Sequence, residues 1–132
     1  MNIDWKHLWH DPFFRIGLLA KIILILLVIP TVQEQWFVPF VVSVIEQPTL
    51  SPWTQFLQQG GDPLAFPYGL MMLLVQLPAV LIGYLADGIF GISYFSGVGF
   101  RVSLLLADLL VLLLLVKMFS KYVRKLIVYY WL

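Results

Sequence analysis

The sequence predicts an all-α integral membrane protein with three transmembrane helices, the start of a fourth, and a long first external loop that carries short interfacial helices. Hydrophobic residues make up 61% of the 132 residues and charged residues 11%, whereas soluble domains hold about 45–50% apolar and about 25% charged residues. Three apolar segments, separated by turn-rich stretches, have the length of membrane helices. This composition excludes a soluble enzyme, a disordered chain and a nucleic-acid-binding protein, because too few polar groups are present to cover a water-exposed surface.

The order of these segments predicts a single membrane domain that comprises residues 1–132. We divide it into an interfacial N-terminus (1–15), span 1 (16–30), an external loop (31–67), span 2 (68–87), a link (88–100), span 3 (101–118), and a basic link with the start of span 4 (119–132).

The N-terminal segment combines aromatic and charged residues, which suits the membrane–water interface. Asp11 and Pro12 predict a helix start, with the aspartate as the cap and the proline at the first helical position. Pro30 ends or kinks that helix. His7 and His10 are spaced for one helix face, but a polar interfacial segment is the better interpretation than a metal site. The chain has no cysteine, which excludes disulfides and thiolate chemistry.

The loop 31–67 contains two short amphipathic pieces, near 36–46 and 52–59, that are too short to cross a bilayer and long enough to lie in its interface. Loops of this length are more often functional than mere tethers. In span 2, Gln76 and Pro78 are tolerated if that helix packs against others. The glycines of the link 88–100 have the spacing of loop residues.

Span 3 carries Asp108 near its middle. A carboxylate at membrane depth costs roughly 2.5–3.5 kcal/mol on insertion scales, so we expect it to face protein or water. Arg101 and Asp108 lie on one face of that helix, but their axial separation of about 10 Å argues against a direct pair. We expect Asp108 to contact a neighbouring helix instead.

The distribution of cations leaves a conflict about topology. Residues 22–100 contain four acids and no Lys or Arg, so the positive-inside rule predicts a cytoplasmic N-terminus and an external 31–67 loop. Three crossings then carry the basic run 117–125 to the external side, against that rule. Either the run is external, where it meets lipid phosphates or snorkels at the interface, or one apolar segment does not cross. We predict three crossings. The run contains Lys117, Lys121, Arg124 and Lys125.

An ordered set of motifs resembles the N-terminal part of polytopic GT-C glycosyltransferases, which use polyprenyl-phosphate-linked sugars. The motifs are DPFFRIGLL, PTVQEQWFVPF, SPWTQFLQQGGDPLAFPYG, RVSLLLADLLVLLLL and LIVYYWL. The resemblance covers nearly all of this chain but about the first third of such an enzyme. Unlike that family, this loop has no adjacent pair of acids.

The resemblance implies a sugar transfer at the external face of a bacterial-type inner membrane, with the lipid-linked sugar as donor. The cofactor stays open, and a divalent metal that stabilises the departing phosphate is one candidate. It also implies that this chain is a fragment or split subunit, inactive alone. The expected partners are the lipid bilayer, the lipid-linked sugar, and further transmembrane helices from a second polypeptide or a missing C-terminal part, with no nucleic acid.

Transfer from a lipid phosphate needs a base for the acceptor hydroxyl and positive charge for the departing phosphate. The acidic residues Glu34 and Asp62 of the first loop are the predicted catalytic carboxylates, with a turn-forming role as the alternative for Asp62. The predicted substrate-binding residues are Trp36, Trp53, Tyr68 and Arg101. An interfacial aromatic belt is the alternative for the aromatic members of that set.

A second class of function stays open. The chain is then a small non-catalytic membrane subunit that scaffolds or regulates a larger complex, and Gln76 and Asp108 serve as contacts between helices. A transporter fragment is a weaker alternative, because the long acidic, aromatic loop has no evident use there.

Overall fold

The computed structural model describes residues 5–132, and the side chains of all of these except residues 5–7 and 120. Within this part of the chain every regular element is helical. The elements in order are α1 (Trp5–His10), α2 (Pro12–Leu27), a π-helical turn (Gln33–Phe37), α3 (Val38–Glu46), α4 (Pro52–Gln58), α5 (Leu70–Phe90), α6 (Phe95–Met118), a 3-10 turn (Ser120–Tyr122), α7 (Val123–Leu126) and a π-helical turn (Ile127–Trp131). The histidine pair considered above cannot be placed, because the side chain of His7 lies outside the described residues.

The start of α2 confirms the predicted cap. Pro12 is its first residue, and Oδ1 of Asp11 accepts hydrogen bonds from the backbone N–H groups of Phe13 at 2.9 Å and Phe14 at 3.2 Å. The helix ends at Leu27, ahead of Pro30, because a residue that precedes proline disfavours helical backbone. The two short helical pieces predicted in the loop are also present, since the π-helical turn leads into α3 and α4 follows.

Two helices, α5 and α6, are long and apolar enough to cross a membrane. The helix α5 continues through Pro78 and ends where Gly91 adopts a left-handed conformation with φ of 66°. The helix α5 ends at Phe90 and α6 begins at Phe95, so the link between them is shorter than the predicted 88–100. Much of that stretch is helical because Asp87 caps α6 across the short connection, as described below.

The chain divides into two compact units. One unit contains Leu105–Leu132 and the described residues before Val28, and its core consists of Leu8, Phe14, Leu112, Val116, Ile127 and Trp131. The predicted start of span 4 belongs to this core. Trp131 is fully buried, stacks on Phe14 with ring centroids 5.1 Å apart, and donates from Nε1 to the Phe14 carbonyl oxygen at 3.0 Å.

The other unit is Val28–Leu104, with a core built from α3, α5, the start of α6 and the 65–66 segment. Glycines bring α5 and α6 together here. A Cβ on Gly83 would overlap the carbonyl group of Phe95, and one on Gly99 would overlap that of Ala79. The expectation that Gly97 and Gly99 are loop residues is therefore wrong, because both lie inside α6, where small side chains allow close helix packing.

Candidate active site

An ion pair joins two of the predicted site residues in the Val28–Leu104 unit. Arg101 of α6 is 6% exposed, and its Nη1 donates to Oε1 of Glu34 at 3.2 Å. The same nitrogen donates to the backbone carbonyl oxygen of Val28 at 3.0 Å. The structure thus brings together one residue predicted as catalytic and one predicted to bind substrate, although they are 67 positions apart in the chain.

Local structure holds Glu34 at this place. Its backbone N–H donates to the carbonyl oxygen of Pro30 at 3.1 Å, and its side chain extends from the π-helical turn toward Gly97. A Cβ on Gly97 would overlap the Glu34 carboxylate. Glycine inside a helix costs about 1 kcal/mol relative to alanine, and here it leaves the space that the carboxylate occupies.

Two nitrogens of the Arg101 guanidinium are without a hydrogen-bond partner in the described residues. These are Nε and Nη2, and both are buried. The ring of Tyr94 lies against the group, with its centroid 6.0 Å from Cζ. Buried donors normally have partners, because leaving one unsatisfied costs about 1–3 kcal/mol. The pair Nε and Nη2 has the fork geometry that receives two oxygens of a phosphate or carboxylate.

Burial raises the pKa of the Glu34 carboxyl above its ordinary value of 4.5. The Arg101 guanidinium lowers that pKa less strongly than burial raises it, and the Asp87 carboxylate raises it further. A carboxylate with a raised pKa is a stronger base than an ordinary glutamate.

Asp87 organises the N-terminus of α6, which carries Gly97 and Arg101. Its Oδ1 accepts from the N–H groups of Tyr94 at 2.9 Å and Phe95 at 2.7 Å, and its Oδ2 accepts from the N–H and the hydroxyl of Ser96 at 2.9 Å and 2.5 Å. This role of Asp87 was not predicted from the sequence. The signal was an aspartate at the end of one apolar segment followed by Ser96 at the start of the next.

The predicted aromatic residues belong to one cluster. Nε1 of Trp53 donates to the carbonyl oxygen of Phe66 at 3.1 Å, and the ring of Tyr68 meets that of Phe66 edge-on, with centroids 5.3 Å apart. Trp36 is partly buried against the same cluster, and Tyr68 is exposed. These side chains therefore support the loop structure, and Tyr68 offers the most open surface among them.

Asp62 has a different environment. Its side chain is exposed, its Oδ1 accepts from the N–H of Leu64 at 2.7 Å, and its carbonyl oxygen accepts from the N–H of Ala65 at 3.0 Å. These bonds form an Asx-type turn, which is the alternative stated for this residue. Its catalytic role stays a prediction.

Gln76 and Asp108 of the apolar helices each have a hydrogen-bond partner within the chain, although Nε2 of Gln76 is buried without one. Oε1 of Gln76 is hydrogen-bonded to the hydroxyl of Ser103, and in the other unit Asp108 accepts from Lys21 at 2.8 Å and from the Tyr130 hydroxyl at 2.8 Å. The expectation that Asp108 contacts a neighbouring helix is confirmed. The alternative function, a non-catalytic membrane subunit, also assigns Gln76 and Asp108 to contacts between helices.

Within the residues that the structure describes, no group of three or more His, Asp or Glu side chains could hold a metal ion. No protein family, no curated protein and no solved structure matches this chain. The geometry of Glu34 and Arg101 and the order of the sequence motifs are therefore the observations that bear on function.

Proposed function

We propose that this chain contributes part of the active site of a membrane glycosyltransferase, which moves a sugar from a polyprenyl-phosphate donor to an acceptor hydroxyl at the external membrane face. The observation that carries the proposal is the guanidinium of Arg101, which is buried and paired with Glu34, and whose Nε and Nη2 have no partner in the described residues. A phosphate oxygen pair satisfies those groups.

The proposed chemistry divides between the two residues. The acceptor oxygen attacks the anomeric carbon, the bond between that carbon and the phosphate oxygen breaks, and the polyprenyl phosphate leaves with the bonding electrons. Glu34 takes the proton from the acceptor hydroxyl, and Arg101 stabilises the negative charge on the departing phosphate. Arginine suits the second role because its planar fork stays charged and binds phosphate through two N–H groups.

The membrane setting of the proposal follows from composition and from the two helices that can cross a bilayer. The lipid tail of the donor lies in the bilayer, so its phosphate is presented at the surface. The segment 31–67 has no Lys or Arg, which agrees with an external position under the positive-inside rule. The resemblance of the motif order to GT-C enzymes adds a bacterial-type inner membrane as the setting.

The decisive experiment compares two glutamates of the same loop. Cells that lack the gene receive wild-type, Glu34→Gln or Glu46→Gln, and their membranes are assayed for transfer from radiolabelled polyprenyl-phosphate sugars. Glu46 is the control because its carboxylate bonds only the hydroxyl of Tyr84 at 3.0 Å among the contacts that the structure gives it.

We expect Glu34→Gln to lose about 100-fold or more of the turnover, which is the usual contribution of a general base, and Glu46→Gln to stay within about twofold of wild type. Arg101→Lys keeps the charge but loses the fork, and we expect it chiefly to raise KM for the lipid donor. Unchanged transfer in Glu34→Gln, or no transfer by wild-type membranes, contradicts the proposal.

A further inference from the structure

The segment that follows α6 has one buried and one exposed face. Ile127 and Trp131 point into the core of their unit, and Trp131 is fixed to Phe14 by stacking and by its indole hydrogen bond. The opposite face exposes Tyr122 and Tyr129 to 54% and 85%. This arrangement is typical of segments that lie at a membrane surface with aromatic and basic residues toward the headgroups.

The exposed face is strongly basic and forms a groove. The groove has a volume of about 400 Å³ and is lined by Lys121, Tyr122, Arg124, Lys125, Val128 and Tyr129. No acidic residue follows Asp108 in the sequence. Within the described residues none of the lining cations forms an ion pair. Nζ of Lys125 lies 5.8 Å from the ring centroid of Tyr122, which holds one ammonium at the groove wall.

Contacts within this unit also locate the groove relative to the N-terminus. Leu8 and Phe14, at the beginning of the chain, pack with Val116, Ile127 and Trp131. The basic run therefore lies beside the N-terminal end of α2. Both segments carry cations, and the positive-inside rule favours the cytoplasmic side for each of them. The external position of the basic run stays the alternative prediction.

We propose that this groove binds the headgroup of an anionic phospholipid in the cytoplasmic leaflet. The charge is complementary, since three exposed cations surround a groove without acids, and that leaflet carries the negative surface potential. The guanidinium of Arg124 and the ammonium groups of Lys121 and Lys125 receive the phosphate, the tyrosine hydroxyls donate to headgroup oxygens, and Val128 contacts the acyl chain. The site lies outside the unit of Glu34 and Arg101 and does not rest on the proposed function.

The test titrates the full chain, purified in a maltoside detergent, with dioctanoyl phosphatidylglycerol, dioctanoyl phosphatidylcholine or inorganic phosphate, and counts bound molecules by native mass spectrometry. Arg124→Gln/Lys125→Gln removes two lining cations. Arg15→Gln/Lys117→Gln is the matched control, because it removes two exposed cations that do not line the groove. All four substitutions are on exposed side chains, and thermal midpoints check that the variants are folded.

Wild type and the control are expected to bind one phosphatidylglycerol with the same affinity. The groove variant is expected to bind it about 25-fold more weakly, at roughly fivefold for each cation. Equally weakened lipid binding in both double variants overturns a specific site and indicates nonspecific attraction by the net positive charge. Equal binding of phosphatidylcholine overturns the requirement for an anion. Competition by inorganic phosphate at the same concentration overturns a lipid ligand in favour of a free-phosphate site.

Discussion

Nζ of Lys21 lies 2.8 Å from Oδ2 of Asp108, which joins α2 to α6 inside one unit of the protein. The same carboxylate accepts from the Tyr130 hydroxyl at 2.8 Å, and the ammonium lies 4.6 Å from the ring centroid of Trp131. One basic and one acidic residue of the apolar segments thus neutralise each other, where a single charge would be costly.

This pair predicts strong coupling in a double-mutant cycle. Lys21→Gln and Asp108→Asn each leave the partner charge without its counterion, so each lowers the thermal midpoint of the full chain in detergent. The double variant is expected to recover most of that loss, with a coupling energy of about 1–3 kcal/mol. The measurement is the free energy of unfolding of the four proteins, and strictly additive effects rule out the pair.

The contacts of Phe14 with Trp131 predict where the basic run lies. Because the chain has no native cysteine, Lys121→Cys and Thr49→Cys give single labelling sites. A membrane-impermeant maleimide added to intact cells is expected to label position 49 and to leave position 121 unlabelled until the cells are opened. Labelling of both positions from outside would support three crossings instead.

The close approach of Gly97 to Glu34 predicts that a methyl group at position 97 disrupts the ion pair between Glu34 and Arg101. In Gly97→Ala the new Cβ overlaps the Glu34 carboxylate, so the side chain must move away from Arg101. Binding of polyprenyl phosphate is expected to fall about tenfold or more, a loss of roughly 1.4 kcal/mol. Gly88→Ala is the control, because the space around its Cβ is empty, and it should bind like wild type with equal or higher thermal stability.

The environment of Glu34 predicts a shifted titration. Burial raises the pKa of its carboxyl above 4.5 and Arg101 lowers it in part, so the carboxyl takes up its proton at a higher pH than an exposed glutamate does. A ¹³C NMR titration of this carboxyl should have its midpoint above 4.5, and Arg101→Gln should move the pKa further up. The transfer rate should fall as the pH falls through the same midpoint, since only the ionised form accepts a proton. A midpoint at or below 4.5 contradicts the burial argument.

Local signals in the sequence were enough to predict several elements. The helix cap at Asp11 and Pro12 involves backbone groups within three positions, so these two residues are enough to predict it. The short helices of the loop follow from prolines and amphipathic spacing in the same way. Apolar length predicted three spanning helices, and two helices that are long and apolar enough to cross a membrane are present.

Features that depend on contacts between distant segments were missed or misplaced. The start of α6 depends on Asp87, which bonds Tyr94, Phe95 and Ser96 across a turn, so hydropathy alone placed that helix start at 101. The packing of the last residues against α2 depends on Trp131 meeting Phe14, 117 positions away, and no local signal predicted it. Glu34 and Arg101 were each predicted as site residues from the sequence, but their pairing and the space that Gly97 leaves for the carboxylate depend on the fold.

Binding of a lipid-linked phosphate by Arg101 can be measured as a ¹⁵N–³¹P distance. The chain has three arginines, Arg15, Arg101 and Arg124, and Arg124→Gln removes the one in the basic groove. The sample contains ¹⁵N-labelled arginine, and polyprenyl phosphate is its only source of phosphorus. In solid-state NMR the ¹⁵N signals of Arg101 should dephase strongly, because a bidentate pair places nitrogen and phosphorus about 3–4 Å apart. The ¹⁵N signals of Arg15 should not dephase. Dephasing at Arg15 alone, or at neither residue, would contradict binding of the phosphate by Arg101.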